Sequence, residues 1–345
     1  MAENDKESVH IGHKARILSP DEIEKIEKDQ NLVSEFKREK YEKEAQKNWD
    51  LFYKRNTTKF FKDRHWTTRE FQELLNEKNK SKLVIFAVGC GVGNFMFPLL
   101  QEDDSLYFYA CDFSNRAVDF VKDNSQYDNE RCTAFQCDIT KDDITNQIPI
   151  NSVDVATMIF VLSAVNPDKM VDALKNVFRP GGCLLIRDYG LYDFAMLRFA
   201  AGHKLSENFY VRQDGTRAYY FSLEILEGMM TDAGFIQERN DYVQRNTVNK
   251  KEGINVPRIF VQGKFALRAC PRENHAEGAK ASITDFDQIW FISWDSPKTH
   301  KCAILDKSFN SCMRKLKKHF SYGEIAKICL FSNTNFGKSL HLYYT

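Results

Sequence analysis

From Leu83 to Arg187 short apolar runs alternate with helix-like stretches, and this alternation confines the chain to a sheet assembled from βαβ units. The runs from Leu83 to Val88, Leu106 to Cys111, Thr133 to Cys137, Val153 to Leu162 and Cys183 to Arg187 read as successive strands. Asn166-Pro167-Asp168 begins the helix before the last run, with proline where a first helical turn tolerates it, and Pro180-Gly181-Gly182 turns the chain into the strand. Ser222 to Ala233 suits a helix stopped by Gly234, and Phe235 to Leu267 reads as two closing strands joined by the polar NKKEG turn. The expected class is α/β, with a seven-stranded, mostly parallel sheet over residues 83–267. Residues 189–221 lack a clear period and are rich in aromatics and arginines, which predicts an insertion over the carboxyl edge of that sheet.

Ahead of the sheet, residues 1–18 are polar and unpatterned and read as a disordered tail. Ser19-Pro20-Asp21-Glu22 combines an N-cap serine, a first-turn proline and a glutamate placed to close a capping box, so order is expected to begin at Ser19. Phe36, Ala45, Trp49, Phe52 and Tyr53 recur at helical spacings and predict a long helix, with room for a break, to about Tyr53. Thr67 with Glu70 offers a second capping box, so residues 19–76 form a helical unit, and NEKNKSK (76–82) reads as its linker to the sheet. Beyond Cys270 the pattern weakens around the basic run from Arg314 to Lys318, and residues 270–345 receive no assigned structure.

Composition limits the function classes. Forty-nine Lys+Arg against forty-eight Asp+Glu leave a formal net charge of +1, so any polyanion must be met by local patches. Nine cysteines without a repeated short spacing suit a reducing compartment. No apolar run suggests a signal peptide or a membrane span, and a cytoplasmic location, with the nucleus as a second, is expected. His300, Cys302, Cys312 and His319 are zinc-type ligands at a spacing poor for one centre, and no metal is expected.

The run from Val84 to Val88 leads into Gly89-Cys90-Gly91-Val92-Gly93-Asn94 and then into a helix-like apolar stretch. Glycines at such a turn let the backbone bend sharply and approach a ligand. Asp112, twenty-three residues after Gly89, ends the next strand, where a carboxylate can accept from two ribose hydroxyls. The Gly-x-Gly-x-Gly spacing differs from the dinucleotide pattern and suits a nucleoside cofactor without pyrophosphate. Asp138, at the end of the third strand, is placed to accept from an adenine amine. Three strand ends thus converge on one adenosine.

KNWDLFYKRN (47–56), FFKDRHWTTREF (60–71), GCGVGN (89–94), FQCDITKDD (135–143) and RDYGLYD (187–193) together resemble the tRNA 3-methylcytidine methyltransferases of the methyltransferase-like group. ENFYVRQDGTR (207–217) and TVNKKEG (247–253) extend the resemblance over residues 14–267. It implies a class I, Rossmann-like, S-adenosyl-L-methionine-dependent fold with an N-terminal helical RNA-binding extension. It further implies methylation of cytidine 32 in the anticodon loop of serine tRNAs, with seryl-tRNA synthetase as helper. Trp49, Tyr53, Gly89, Asp112, Asp138 and Ile159 are the positions it implies around the cofactor, with Gly91 added by the glycine turn, and the helix carrying Trp49 and Tyr53 would act as a lid. Ala87 departs from the family, which usually has an acidic residue there, and the segment from Asn176 to Gly181 is short by about one helical turn.

The cytosine N3 lone pair lies in the ring plane, so attack on a sulfonium methyl needs in-line placement and no prior deprotonation. Asp188, beside Arg187 and Tyr189 at the end of the fifth strand, is the candidate for contacting the exocyclic amine, with an ion pair to Arg187 as the structural alternative. Residues 50–69 carry six basic side chains against two acidic ones, interleaved with aromatics, a mix suited to phosphate contacts and base stacking. Lys54, Arg55, Phe60, Arg64 and His65, with Tyr192, Arg198, Arg212 and Arg217 from the insertion, are the RNA-binding candidates. Two other classes share parts of this pattern. One is a protein or small-molecule methyltransferase, and the other a non-catalytic RNA-binding protein whose pocket has degenerated at Ala87.

Overall fold

The computed structural model describes residues 10–28, 31–76, 81–178, 182–249 and 254–267, together with four C-terminal strands. Two compact units divide the chain, Met1–Arg268 and Ala269–Thr345. The first holds strands β1 (His10–Gly12), β2 (Leu83–Val88), β3 (Leu106–Asp112), β4 (Cys132–Gln136), β5 (Val155–Ile159), β6 (Cys183–Tyr189), β7 (Lys204–Ser206), β8 (Phe209–Val211), β9 (Arg217–Tyr219), β10 (Phe235–Asn249) and β11 (Ile254–Leu267). Its helices are α1 (Pro20–Lys28), α2 (Glu35–Lys43), α3 (Ala45–Asn56), α4 (Thr67–Glu70), α5 (Met96–Glu102), α6 (Asn115–Lys122), α7 (Pro167–Phe178), α8 (Phe194–Leu197) and α9 (Leu223–Asp232).

The main sheet has the order β1-β10-β11-β6-β5-β2-β3-β4. Strands β4, β3, β2, β5 and β6 are parallel, while β11 runs antiparallel to both β6 and β10. Alternate residues of each central strand enter cores on opposite faces. Phe86, Val88, Leu184 and Ile186 pack with Met170 and Leu174 of α7 and Leu226 of α9, whereas Ile85, Ala87 and Leu185 pack with Met96 and Leu100 of α5 and Val118 and Val121 of α6. Burial on both faces explains why these strands read as continuous apolar runs. From β2 the chain winds outward to β3 and β4, then returns to β5 and winds the other way, so the ends of β2 and β5 flank the point where strand order reverses.

The N-terminal unit departs from the sequence expectation in several respects. Strand β1 pairs His10–Gly12 with Tyr242–Gln244 and makes an eighth strand, so ordered chain precedes Ser19. The Ser19 box forms, with the Ser19 N–H donating to Glu22 Oε2 at 2.9 Å and the Glu22 N–H to Ser19 Oγ at 3.4 Å. The long helix is three helices; between the first two the Val33 N–H donates to Lys204 O at 2.8 Å and the Val33 side chain is buried, and a turn at Glu44 separates the second from the third. The second capping box does not form. The Thr67 hydroxyl donates to Arg64 O at 3.0 Å, and Glu70 turns away to pair with Arg187.

Within residues 189–221 the chain forms a three-stranded sheet, β7-β8-β9, and Phe199, which precedes it, stacks on Tyr210 of β8 at 4.8 Å. Helix α9 is capped by Ser222, whose hydroxyl accepts from the Ile225 N–H at 3.2 Å. The linker's residues 77–80, residues 179–181 before β6 and most of the NKKEG turn lie outside the described residues. In the second unit β12 (Lys280–Phe286), β13 (Ile289–Ser296), β14 (Thr299–Leu305) and β15 (Ser339–Tyr343) form an antiparallel sheet of order β14-β13-β12-β15. The side chains of His300, Cys302, Cys312 and His319 lie outside the described residues.

Candidate active site

At the reversal point the chain leaves β2 through Gly89 and Gly91, both with positive φ, +61° and +56°. A Cβ at Gly89 would lie 2.4 Å from a Val161 methyl, and one at Gly91 would lie 3.1 Å from the Tyr53 hydroxyl. Only glycine fits both conditions. Asp112, at the end of β3, accepts from the Gly91 N–H at 2.8 Å and the Ser114 N–H at 2.9 Å. Burial pushes its carboxyl up to about 6 against the pull of these two bonds. Just beyond β4, Asp138 accepts from the Thr140 N–H at 3.0 Å and hydroxyl at 2.7 Å, with Lys141 Nζ at 3.1 Å.

A cleft of about 1580 Å³ opens over these strand ends, lined by Gly89, Gly91, Asp112, Asp138 and Ile159, and by Trp49 and Tyr53 of α3. All seven positions anticipated for the cofactor therefore meet in one cavity. Helix α3 covers it because three polar side chains fasten it down. Gln46 donates to Phe113 O at 3.0 Å, Asn48 to Gly215 O at 3.2 Å, and Asp50 accepts from the Ser114 hydroxyl at 2.5 Å at the start of α6. Tyr53 is buried, and burial, with Asp112 and Cys90 nearby, raises its phenol well above the ordinary value.

Because the Asp112 carboxyl sits near 6, a ribose held there as the sequence expectation has it would compete with protonation. The affinity for S-adenosylmethionine is expected to fall about tenfold from about pH 7 to about pH 5, since the ionised acceptor is depleted below its pKa. Isothermal titration across this range checks it. Loss of the slope in Asp112→Asn is the expected control, and a slope that survives there assigns the titration to another group.

Beyond β5 and β6 the wall becomes aromatic. Phe160 adopts φ +61°, a strained conformation for a bulky residue, with its ring 5.1 Å from Tyr189 and 5.4 Å from Phe260. Phe160, Tyr189 and Ser163 line the cleft, and Phe160 and Ser163 were not anticipated. Their only trace in the sequence was proximity to the end of β5, because nothing in the residue type announces a left-handed phenylalanine.

Two expected catalytic residues are placed differently. Asp188 is fully buried and does not line the cleft; its oxygens accept from the Ser163 N–H and the Tyr189 N–H, each at 2.9 Å. Burial lifts its carboxyl to about 6, and it reaches the cleft only through Ser163 and Tyr189. Arg187 points to the other face of β6, as strand alternation requires. There it pairs with Glu70, donates to Gln262 Oε1 at 3.0 Å and stacks 4.3 Å from the Trp66 ring. Its ion pair is with Glu70, not with Asp188, and it belongs to the core.

The RNA-binding candidates divide similarly. Lys54, Arg55, Phe60 and His65 are exposed on or just after α3, with Arg55 Nη2 3.6 Å from Asp214 and His65 3.9 Å from Glu102. Arg198 is exposed and lines the cleft. Arg212 lies 5.6 Å from the Tyr189 ring and donates to Arg217 O at 2.7 Å. Arg217 is buried and pairs with Glu42, which also holds Lys169, so it locks α2 to the insertion and is not free for phosphate. Burial raises the Glu42 carboxyl, but Lys169 and Arg217 outweigh it and hold the group at about 2. Tyr192 lies outside the cleft lining, with φ +64° and its carbonyl accepting from Arg16 at 3.4 Å. Arg64 lines the cleft itself. Among the described residues no group of His, Cys, Asp and Glu could hold a metal ion, and no helix is long and apolar enough to cross a membrane.

Comparison with known proteins places this geometry in a family. The family described as "Methyltransferase domain" matches residues 86–184. The human tRNA N(3)-cytidine methyltransferase METTL6 is 60% identical over 259 residues, covering 74% of this chain and 91% of that protein. The Schizosaccharomyces pombe tRNA N(3)-methylcytidine methyltransferase trm141 is 44% identical over 237 residues, covering 67% of this chain and 96% of that protein. A solved S-adenosylmethionine-dependent methyltransferase from Anabaena variabilis is 13% identical with a TM-score of 0.48, covering 65% of this chain and 95% of that one. With the glycine turn, the two acidic strand ends and relatives matched over nearly their whole length, the chain belongs to the tRNA N(3)-cytidine methyltransferases, S-adenosylmethionine-dependent enzymes of the class I fold.

Proposed function

We propose that this chain transfers the methyl group of S-adenosylmethionine to N3 of cytidine 32 in the anticodon loop of serine tRNAs, with seryl-tRNA synthetase assisting. The observation that carries the reading is one cleft that joins Gly91, Asp112 and Asp138 to the aromatic wall of Phe160 and Tyr189, with the exposed Arg198 also in its lining. The choice of serine tRNAs rests on the resemblance of residues 207–217 and 247–253 described above.

Asp112 would take the ribose hydroxyls on the lone pairs that Gly91 and Ser114 leave free, and Asp138 the adenine amine. Trp49 and Tyr53 would roof the cofactor and exclude water. When bound, the cofactor supplies an electrophilic methyl on sulfonium. The N3 lone pair forms the new bond as the carbon–sulfur bond breaks, and its electrons return to sulfur, so no side chain need act as a base. Phe160 and Tyr189, whose rings lie 5.1 Å apart, would stack on a splayed-out base. The positive charge that develops on the cytosine would be offset by the buried Asp188 carboxylate behind Ser163 and Tyr189, held by the two N–H groups that donate to it.

The exposed stretch after α3 would hold the backbone. Reversing Lys54, Lys59 and Lys62 to Glu, all exposed and outside the cleft lining, is expected to weaken tRNA binding by roughly 30-fold and flatten its salt dependence by about three phosphate contacts. Affinity for S-adenosylmethionine should stay within about twofold, because no contact to the cleft is lost. Filter binding across a salt series measures both. Unchanged tRNA affinity would move the RNA path elsewhere on the molecule. The finer assignment is tested by incubating serine tRNA, with and without seryl-tRNA synthetase, and mapping methylated nucleosides by mass spectrometry. 3-Methylcytidine confined to position 32 is expected. Modification at another position, or only of other tRNAs, would contradict it.

A further inference from the structure

Arg64 is a cation set in the cleft wall that the reading above leaves without a task. Its backbone N–H donates to Asn94 O at 2.9 Å, so the residue is fastened to the chain just past the glycine turn. Its guanidinium lies 5.2 Å from the Phe160 ring, and Nη1 is buried with no hydrogen-bond partner among the described residues. Buried donors without partners are rare in folded proteins and point to a missing acceptor. Asp188, the acid whose charge reaches it, makes no hydrogen bond to that nitrogen; its oxygens accept from the Ser163 and Tyr189 N–H groups. Burial lowers the Arg64 guanidinium to about 10, so it stays charged at neutral pH and lacks an anion.

The cleft's layout identifies that anion. Adenine at Asp138 beyond β4 and ribose at Asp112 on β3 would leave the cofactor's amino-acid end over β2 and β5, where the Arg64 guanidinium lies against Phe160. That end carries one carboxylate and one ammonium. Ala87, buried in β2 and lining the same cleft, offers the ammonium no charge. We propose that Arg64 clamps the carboxylate of the methyl donor, so that this protein reads the donor's amino-acid end through its negative charge. An RNA phosphate suits the site less well. The exposed Lys54, Lys59 and Lys62 meet solvent, whereas Arg64 Nη1 is shut inside the cleft. The inference goes beyond the proposed tRNA reading, and its failure would leave methylation at cytidine 32 untouched.

Calorimetric titration of the full chain with S-adenosylmethionine and with its decarboxylated analogue tests the clamp without any variant. The wild type is expected to bind the decarboxylated analogue about 30-fold more weakly, the loss of one charge-assisted hydrogen-bonded pair. In Arg64→Gln, S-adenosylmethionine should weaken by a similar factor while the decarboxylated analogue is unchanged. Arg64→Lys should recover part of the loss, since the charge returns without the forked geometry. Equal affinity of the wild type for the two ligands would overturn the proposal. So would an Arg64→Gln chain that loses both ligands equally, or one that loses tRNA affinity alone.

Discussion

Asparagine at position 112 is expected to weaken S-adenosylmethionine binding by at least about 100-fold while leaving the fold in place. Charge-assisted hydrogen bonds are worth about 1.5–3 kcal/mol each, and two ribose hydroxyls would donate to this carboxylate. The same group accepts from Gly91 and Ser114, so it also sets the glycine turn against the start of α6. An amide keeps one acceptor oxygen and the side-chain volume, and it removes a charge whose burial is unfavourable, as the rise to about 6 records. Binding and stability should therefore separate. Titration calorimetry with a thermal melt on the same sample measures both, and a variant that binds the donor within about threefold of wild type would remove Asp112 from the ribose site.

The second large effect is on stability. Removing Glu70 leaves Arg187, 1% exposed at its side chain, as a buried cation without its counter-ion. Breaking such a pair from one side costs about 3–5 kcal/mol, so Glu70→Ala is expected to lower Tm by roughly 10 °C in a domain of this size. Gln262 and the rings of Trp66 and Phe260 remain around the guanidinium but carry no full charge. Replacing both partners, as Glu70→Leu with Arg187→Met, should be much milder, because neither charge is then stranded. A Glu70→Ala melt within about 2 °C of wild type would show that water reaches Arg187 and that the pair is not part of the core.

The sheet was legible because burial on both faces writes itself into the sequence as unbroken apolar runs. The run from Leu83 to Val88 is strand β2 residue for residue. The acidic strand ends were legible for a related reason, since a carboxylate that follows such a run stands at the carboxyl edge whatever surrounds it. Side-chain partners beyond that edge were not. Arg187 and Asp188 are adjacent in sequence and looked like one functional pair, yet alternation sends one to Glu70 and the other beneath Ser163 and Tyr189. Arg217 resembled a phosphate contact until its partner appeared at Glu42, 175 residues earlier. The break before α2 has the same origin, a backbone bond from Val33 to Lys204 that helical periodicity does not encode. Phe160 was invisible because its role comes from backbone strain at the reversal point.

The most direct test is a crystal structure of this chain with S-adenosylhomocysteine bound. The site described here predicts both ribose hydroxyls on Asp112, the adenine amine at Asp138, the carboxylate on Arg64, and the rings of Trp49 and Tyr53 closing the roof. A ligand seated elsewhere, or one that touches neither Asp112 nor Asp138, would contradict it.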